Sequence, residues 1–248
     1  MAAPTLAELE LLGEFRIRIK DLELDDYLNS DMELLRWVRA RDHDLDQAEI
    51  MFRKHMKWRE EGDFDNIKFW EVPQDLKDLL PEQIIGFDHA NSPVVLTLFG
   101  KWDMKKVVQE SGQGMALRYN WKTFDSLKDR MRNQRTPEDI PVTQVCFIND
   151  LEGLSFRQLT LPVLRAMSEY GRQFEANFPE IMKINVVINA PWFFPMIYKC
   201  FASFVSQKTM SKVHVFGKNR EEWTTFLNEI IPHYVLPTMY GGSNNISL

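Results

Sequence analysis

The spacing of apolar positions changes character once along the chain, near Val72-Pro73. Before that point apolar residues recur every three or four positions: Leu9, Leu12, Phe15 and Ile19, then Leu34, Leu35 and Val38, then Ala48, Met51, Phe52 and Trp58. This is helical spacing. Each run follows a hydroxyl or acid with Glu or Gln three residues later (Thr5 and Glu8, Ser30 and Glu33, Asp44 and Gln47), the signature of a capping box. Residues 1–75 are therefore expected to form a small helical subdomain. Beyond it, short apolar runs at Pro93–Phe99, Thr143–Asn149, Ile184–Ile188 and Val213–Phe216 alternate with helical patterns near 113–134, 156–177, 192–206 and 219–231. Such alternation predicts an α/β domain over 76–248 whose sheet is covered by helices. Gly86, Asn91, Gly100, Gly153 and Gly217 punctuate the strand ends, and the last six residues, SNNISL, read as a frayed tail.

The most informative stretch runs from Phe178 to Gly217. Ile184–Ile188 reads as apolar on both faces, which suits a strand covered on two sides. From Trp192 to Val205 the chain is almost continuously apolar, with Trp192, Phe193, Phe194, Ile197, Phe201 and Phe204 among its large side chains and Lys199 its one charge. It is too short to span a bilayer. A helix apolar all round must be buried, or must meet a membrane or a partner. Directly after it, Ser206, Lys208, Thr209, Ser211 and Lys212 gather hydroxyls and two cations, a composition suited to phosphate oxygens. Oil beside a site for anionic oxygen is the chemistry of a lipid. An ordinary core helix whose C-terminal lysines complement its dipole is the competing reading.

Composition narrows the class. At 248 residues the chain can bury a sizeable core, and seventeen Phe, twelve Met and seven Trp provide adaptable apolar surface suited to a hydrophobic pocket as well as to packing. A formal charge of −6 argues against a nucleic-acid partner and against standing attachment to anionic membrane, so any membrane contact is expected to be transient. The N-terminal residues lack the basic region and apolar core of a secretory signal. Cys146 and Cys200, far apart, read as buried free thiols of a reducing compartment, which makes the cytoplasm the expected location.

No catalytic or metal constellation can be assembled. The sequence has no P-loop, G-x-S-x-G or H-E-x-x-H pattern, and its five histidines lack ligand spacing. Gly112 and Gly114 lack the strand and third glycine of a dinucleotide fingerprint. Asp150 and Glu152, at a strand end beside Gly153, fit turn chemistry better than an acid/base pair. An enzyme is not expected, nor a cofactor other than a bound lipid.

Taken in order, the motifs LLRWVRAR, GFD with PVVLTLFG, INDLEGLSF, FPE, INAPWFFPMIYKCF, TMSKVHVFG and LPTMYGG resemble those of the CRAL-TRIO lipid-binding family, from about Asp25 to Gly242. That family includes phosphatidylinositol and phosphatidylcholine transfer proteins as well as tocopherol and retinaldehyde carriers. The resemblance implies a helical subdomain packed on an α/β domain, with an internal hydrophobic pocket closed by a gate helix at about Pro195 to Val205. It also implies a phosphatidylinositol headgroup site made of Arg41, Glu180, Thr209 and Lys212, with Ser155 as a further hydroxyl. There are departures. Val95 stands where some members carry an aromatic residue that helps hold choline, Arg157 replaces a second hydroxyl, and Ile181 is apolar where some members are basic. Many relatives continue past Y-G-G into a β-rich domain, and this chain is expected to work without one. The implied function is a monomeric carrier of phosphatidylinositol. Alternatives are a carrier of a small hydrophobic molecule such as a tocopherol, retinoid, carotenoid or sterol-like compound, and a scaffold for small GTPases.

Overall fold

The computed structural model describes residues 1–246, apart from the side chain of Cys200. Three helices open the chain: α1 (Leu6–Arg18), α2 (Asp31–Arg39) and α3 (Leu45–Glu61). The first begins at a full capping box, in which the Thr5 hydroxyl accepts from the Glu8 N–H while the Glu8 carboxylate accepts from the Thr5 N–H. The other two caps depart from expectation. Asp44 accepts from the Asp46 and Gln47 N–H groups, so the acid alone satisfies the first turn. Ser30 makes no cap bond: its Oγ donates to the Tyr27 carbonyl, and Glu33 instead takes hydrogen bonds from Arg36 Nη2 at 2.7 Å and Tyr27 at 2.9 Å. A buried ion pair has replaced a surface cap because Glu33 and Arg36 both lie inside. Apolar faces of the three helices meet in one cluster around Phe15, Leu34, Leu35, Val38, Ala48 and Phe52.

After α4 (Gln74–Leu79) comes a five-stranded sheet in the order β1 (Glu82–Phe87), β2 (Pro93–Thr97), β3 (Val145–Asp150), β4 (Met182–Ile188), β5 (Val213–Val215). The spacing of apolar residues does not predict β1. It pairs antiparallel with β2, with an irregularity between Ile84 and Gly86, while the other three pairings are parallel. The parallel strands are joined through α5 (Met104–Glu110) and α6 (Gln113–Met131), then α7 (Leu161–Asn177), then α8 (Phe194–Ala202) and α9 (Gln207–Met210). Each strand is added on the same side of its predecessor. Right-handed crossovers therefore send α6, α7 and α8 to one face of the sheet.

The opposite face is a dense core. Val94, Leu96, Cys146, Ile148, Val186 and Ile188 alternate along their strands and pack on Trp223 and Leu227 of α10 (Arg220–Ile230) and on the C-terminal residues Val235, Leu236 and Tyr240. Tyr240 donates to Asp150 Oδ2 at 2.7 Å, while Asp150 Oδ1 accepts from Asn189 Nδ2 at 2.8 Å and from the Glu152 N–H at 2.9 Å. Asp150 is thus a buried tie between the end of β3, the end of β4 and the C-terminal segment. Gly242 is required because a Cβ there would stand 1.9 Å from the Leu236 carbonyl oxygen. The predicted frayed tail is instead pinned through its first residues: the Ser243 N–H donates to the His233 carbonyl, the Asn244 N–H to that of Leu236, and the Asn244 carbonyl accepts from the Thr238 N–H. Residues 247–248 of that stretch lie outside the described residues. Cys146 is a buried free thiol; the same expectation for Cys200 falls outside what is described.

Candidate functional site: a closed cavity with a charged rim

Side chains on the helix-covered face alternate with those of the dense core, as strand geometry demands. Val95, Thr97, Phe147, Asn149, Asn185 and Val187 look toward α6, α7 and α8. They do not fill the space. A cavity of about 200 Å³ remains, closed from the helix side by Leu117 and Phe124 of α6, Tyr170 and Phe174 of α7, and Phe194, Ile197 and Phe201 of α8. Its wall is largely apolar. Asn185 corrects the expectation that Ile184–Ile188 is apolar on both faces, since one face of β4 carries an amide into the cavity.

The predicted gate is α8 and the turn after it, where the Val205 N–H donates to the Phe201 carbonyl at 3.2 Å. Its large residues divide into three environments. Phe194, Ile197 and Phe201 line the cavity, and Phe193 is buried with Val163, Met167 and Ile197. Trp192 is 84% exposed and stacks on Phe156, with ring centroids 6.2 Å apart. Phe204, also exposed, lies beneath the Arg172 guanidinium at 5.0 Å. The helix is therefore not buried all round: Met196, Trp192 and Phe204 put apolar surface into solvent on the side away from the cavity. Against α7 it packs closely. A Cβ on Gly171 would stand 3.2 Å from Phe201 Cδ1, so glycine at this point sets how near the gate can lie.

At the C-terminal end of the gate the wall changes from hydrocarbon to charge. The Ser206 hydroxyl accepts from the Thr209 N–H and caps α9, whose turn carries Lys208 and, just beyond, Lys212. Glu180 comes from the loop between α7 and β4, where it adopts a left-handed backbone with φ of 57°. Its carboxylate receives Lys208 Nζ at 2.5 Å and Lys212 Nζ at 3.2 Å. Burial alone would disfavour the Glu180 anion. The hydrogen bond from Lys208 and the charges of Lys212 and Lys208 outweigh it and hold the carboxyl below the usual range. Thr209 belongs to both zones: it lines the cavity, and its Oγ1 donates to Glu175 Oε2 at 3.2 Å.

Of the predicted headgroup residues, the fold brings Glu180, Thr209 and Lys212 together. Arg41 is not among their contacts; its Nη1 donates to the Ala40 carbonyl, and the link to that helix end is a 3.4 Å contact from Lys208 Nζ to the Arg39 carbonyl. Ser155 stands elsewhere, capping the short turn Phe156–Gln158 through the Arg157 N–H and a return bond from Gln158. Lys208 is absent from the set that the motifs imply, although it makes the shorter of the two contacts to Glu180. Its spacing of four from Lys212 was the available signal, because that places both on one side of a helical turn. Among the described residues no helix is long and apolar enough to cross a membrane, and no cluster of potential metal ligands occurs.

Comparison with known proteins agrees with this arrangement. The CRAL/TRIO domain profile matches residues 80–242, which contain the sheet and the whole cavity wall. The chain is 28% identical over 217 residues to CRAL-TRIO domain-containing protein T23G5.2 of Caenorhabditis elegans, covering 87% of this chain and 30% of that protein. It is 26% identical over 234 residues to Protein real-time of Aedes aegypti, covering 94% and 36%. The chain thus spans about a third of the length of these relatives. Its fold is similar to that in the crystal structure of Sfh5, with a TM-score of 0.77 at 16% identity over 100% of this chain and 91% of that one. With a profile match across the entire sheet and a shared fold around a helix-gated cavity, the chain belongs to the CRAL/TRIO domain family of lipid-binding proteins.

Proposed function

We propose that this chain is a cytoplasmic lipid carrier that encloses one lipid, most readily phosphatidylinositol, and exchanges it during transient contact with membranes. The observation that carries the reading is Thr209, a single residue that is part of both the apolar cavity wall and the turn bearing Lys208 and Lys212. A phosphoinositol group entering there would compete with Glu180 for two ammonium groups already held in place, while its chains ran under α8. Enclosure is necessary on energetic grounds. Exposing two chains of roughly sixteen carbons to water at about 0.8 kcal/mol per CH₂ costs on the order of 25 kcal/mol. In the closed form the cavity, at about 200 Å³, is smaller than the roughly 300–1,000 Å³ that encloses a drug-sized ligand. Loading a diacyl lipid thus requires α8 to swing outward, and its packing on Gly171 is a contact that can be broken without unfolding a helix.

The test is native mass spectrometry after incubation with vesicles containing phosphatidylinositol, phosphatidylcholine and a tocopherol, comparing wild type with Lys212→Ala. Phosphatidylinositol bound one to one and lost at least tenfold in the variant is expected. The same small volume favours a second reading, a compact hydrophobic molecule. A mass shift matching the tocopherol alone, indifferent to Lys212, would put that reading first.

A further inference from the structure

A pocket shaped only for hydrocarbon has no use for amides and a carboxyl, yet this cavity carries a row of them. Glu82 of β1 lies opposite Thr97 of β2, and Thr97 lies opposite Asn149 of β3. Residues paired in register share a face, and all three line the cavity. From above, α6 adds Thr123, whose Oγ1 donates to Glu82 Oε1, and from β4 comes Asn185, whose Oδ1 accepts from Asn149 Nδ2 at 2.8 Å. That bond uses one donor and one acceptor of two amides. Among the described residues, Asn149 Oδ1 and the Asn185 amide N–H groups make no other side-chain hydrogen bond, and the Thr97 hydroxyl makes none. Leaving such groups against hydrocarbon costs about 1–3 kcal/mol each.

The row is also in the wrong place for a phospholipid headgroup. β1 and β5 are opposite edges of the sheet, and four strand spacings separate them by about 19 Å. Lys212, immediately before β5, therefore stands at the far side from Glu82. A diacyl lipid anchored at Lys212 would lay its methyl ends toward a carboxyl. No cation among the described residues pairs with Glu82, and Lys122, one residue before Thr123 on α6, donates to the Ile67 and Lys68 carbonyls. The other titratable groups set around Glu82 are neutral phenols, Tyr119 on α6 and Tyr170 on α7, both with their pKa raised by burial. An anionic ligand end would find no counter-charge there.

We propose that Glu82, Thr123, Asn149 and Asn185 form a hydrogen-bonding subsite inside the cavity for a neutral hydroxyl or carbonyl group on an otherwise apolar ligand, an isoprenoid or sterol-like alcohol or ketone. The subsite rests on the reading of the chain as a carrier and is separate from the Glu180–Lys212 rim. Burial pushes the Glu82 carboxyl up to about 7, against the Thr123 hydrogen bond, so a protonated carboxyl that can both donate and accept is populated at neutral pH.

The experiment is a binding titration by native mass spectrometry with two probes that differ at one atom's proton, farnesol and farnesyl methyl ether, presented in the same detergent. Wild type is expected to hold farnesol about tenfold more tightly. The ratio should fall to within about twofold in Glu82→Leu/Thr123→Val, and in Asn149→Leu should the double variant fail to fold, while Lys212→Ala keeps it. Equal affinity for the two probes in wild type overturns the subsite, as does a ratio that survives both sets of substitutions. If neither probe binds while phosphatidylinositol loads from vesicles, the subsite is overturned and the carrier reading stands. If no lipid of any kind loads, both fall.

Discussion

Two buried titratable side chains show how differently the two halves of this molecule are built. His55 lies in the helical N-terminal part, 4% exposed, against Trp37 with ring centroids 4.6 Å apart and hydrogen-bonded to Asn177 at 3.1 Å. Glu82 lies on the edge strand, bonded to Thr123, with the inner cavity on one side and an outer groove on the other. Burial keeps both neutral in the fold, lowering the histidine to about 3 and raising the carboxyl to about 7. Around His55 every gap is filled by aromatic and aliphatic side chains. Around Glu82 the packing stops short. Filled space makes stability and empty space makes function, and the fold keeps them apart.

The largest expected effect tests that separation directly. Phe52→Ala removes a fully buried ring that contacts both Phe15 and Trp37. It should cost about 3–5 kcal/mol of unfolding free energy, read by chemical denaturation, and leave the preference among lipids in folded protein unchanged. Phe201→Ala, at the cavity wall, should cost well under half of that, because part of its environment is already empty, yet weaken retention of any bound lipid. Similar stability losses for the two would erase the distinction.

A smaller effect follows from the protonation of the two groups. His55 has a folded pKa below its ordinary 6.5, so the unfolded chain binds more protons and stability falls as pH drops from 6.5 toward 3. Glu82 has a folded pKa above its ordinary 4.5, so the folded chain binds more protons and stability falls as pH rises from 4.5 toward 7. Between 4.5 and 6.5 the two slopes have opposite signs and nearly cancel. Glu82→Gln removes one of them. Relative to wild type, the variant should therefore gain stability on going from pH 4.5 to pH 7, by on the order of 2 kcal/mol once the outer groove's access to water is allowed for. A difference that is flat with pH would show that Glu82 ionises freely.

How much of this was legible beforehand follows from what each signal reports. The Thr5 and Glu8 capping box, the apolar strands β2 to β5 and the aromatic run that becomes α8 depend on local pattern, and local pattern was sufficient. The strand β1 was missed because EQIIGF opens with two polar residues, contains a glycine, and runs antiparallel at an edge, outside the alternation of strand and helix that marks its neighbours. The polar row was missed for a related reason. Asn149 and Asn185 look like interruptions in apolar runs, and only register shows that they meet. Ser30 carried the right residue for a cap, but Glu33 had a better partner in Arg36, a tertiary contact that sequence spacing does not contain. Glu180, Thr209 and Lys212 converge because α7, β4 and α9 meet at one corner, and the motif order named them without giving that reason.

The smallest expected effect on stability, from Trp192, carries a clear functional consequence. Its indole is almost wholly in solvent, and its stacking on Phe156 joins two exposed rings rather than a buried contact. Trp192→Ser should therefore change unfolding free energy by no more than about 0.5 kcal/mol, as for surface sites generally. Leu161 adjoins this region at the start of α7 and is also exposed, so an apolar surface stands beside the first turn of α8. An amphipathic ring at such a place suits the headgroup level of a bilayer, where its apolar body and its N–H are both accommodated. If the gate moves outward at a membrane, this is the part that touches lipid first, and its loss should slow exchange between vesicles several-fold while the affinity of loaded lipid stays unchanged. Exchange at the wild-type rate would place the membrane-facing surface elsewhere. A matching loss of affinity would make Trp192 part of the cavity wall, and the boundary between the filled and empty halves of the molecule would have to be redrawn.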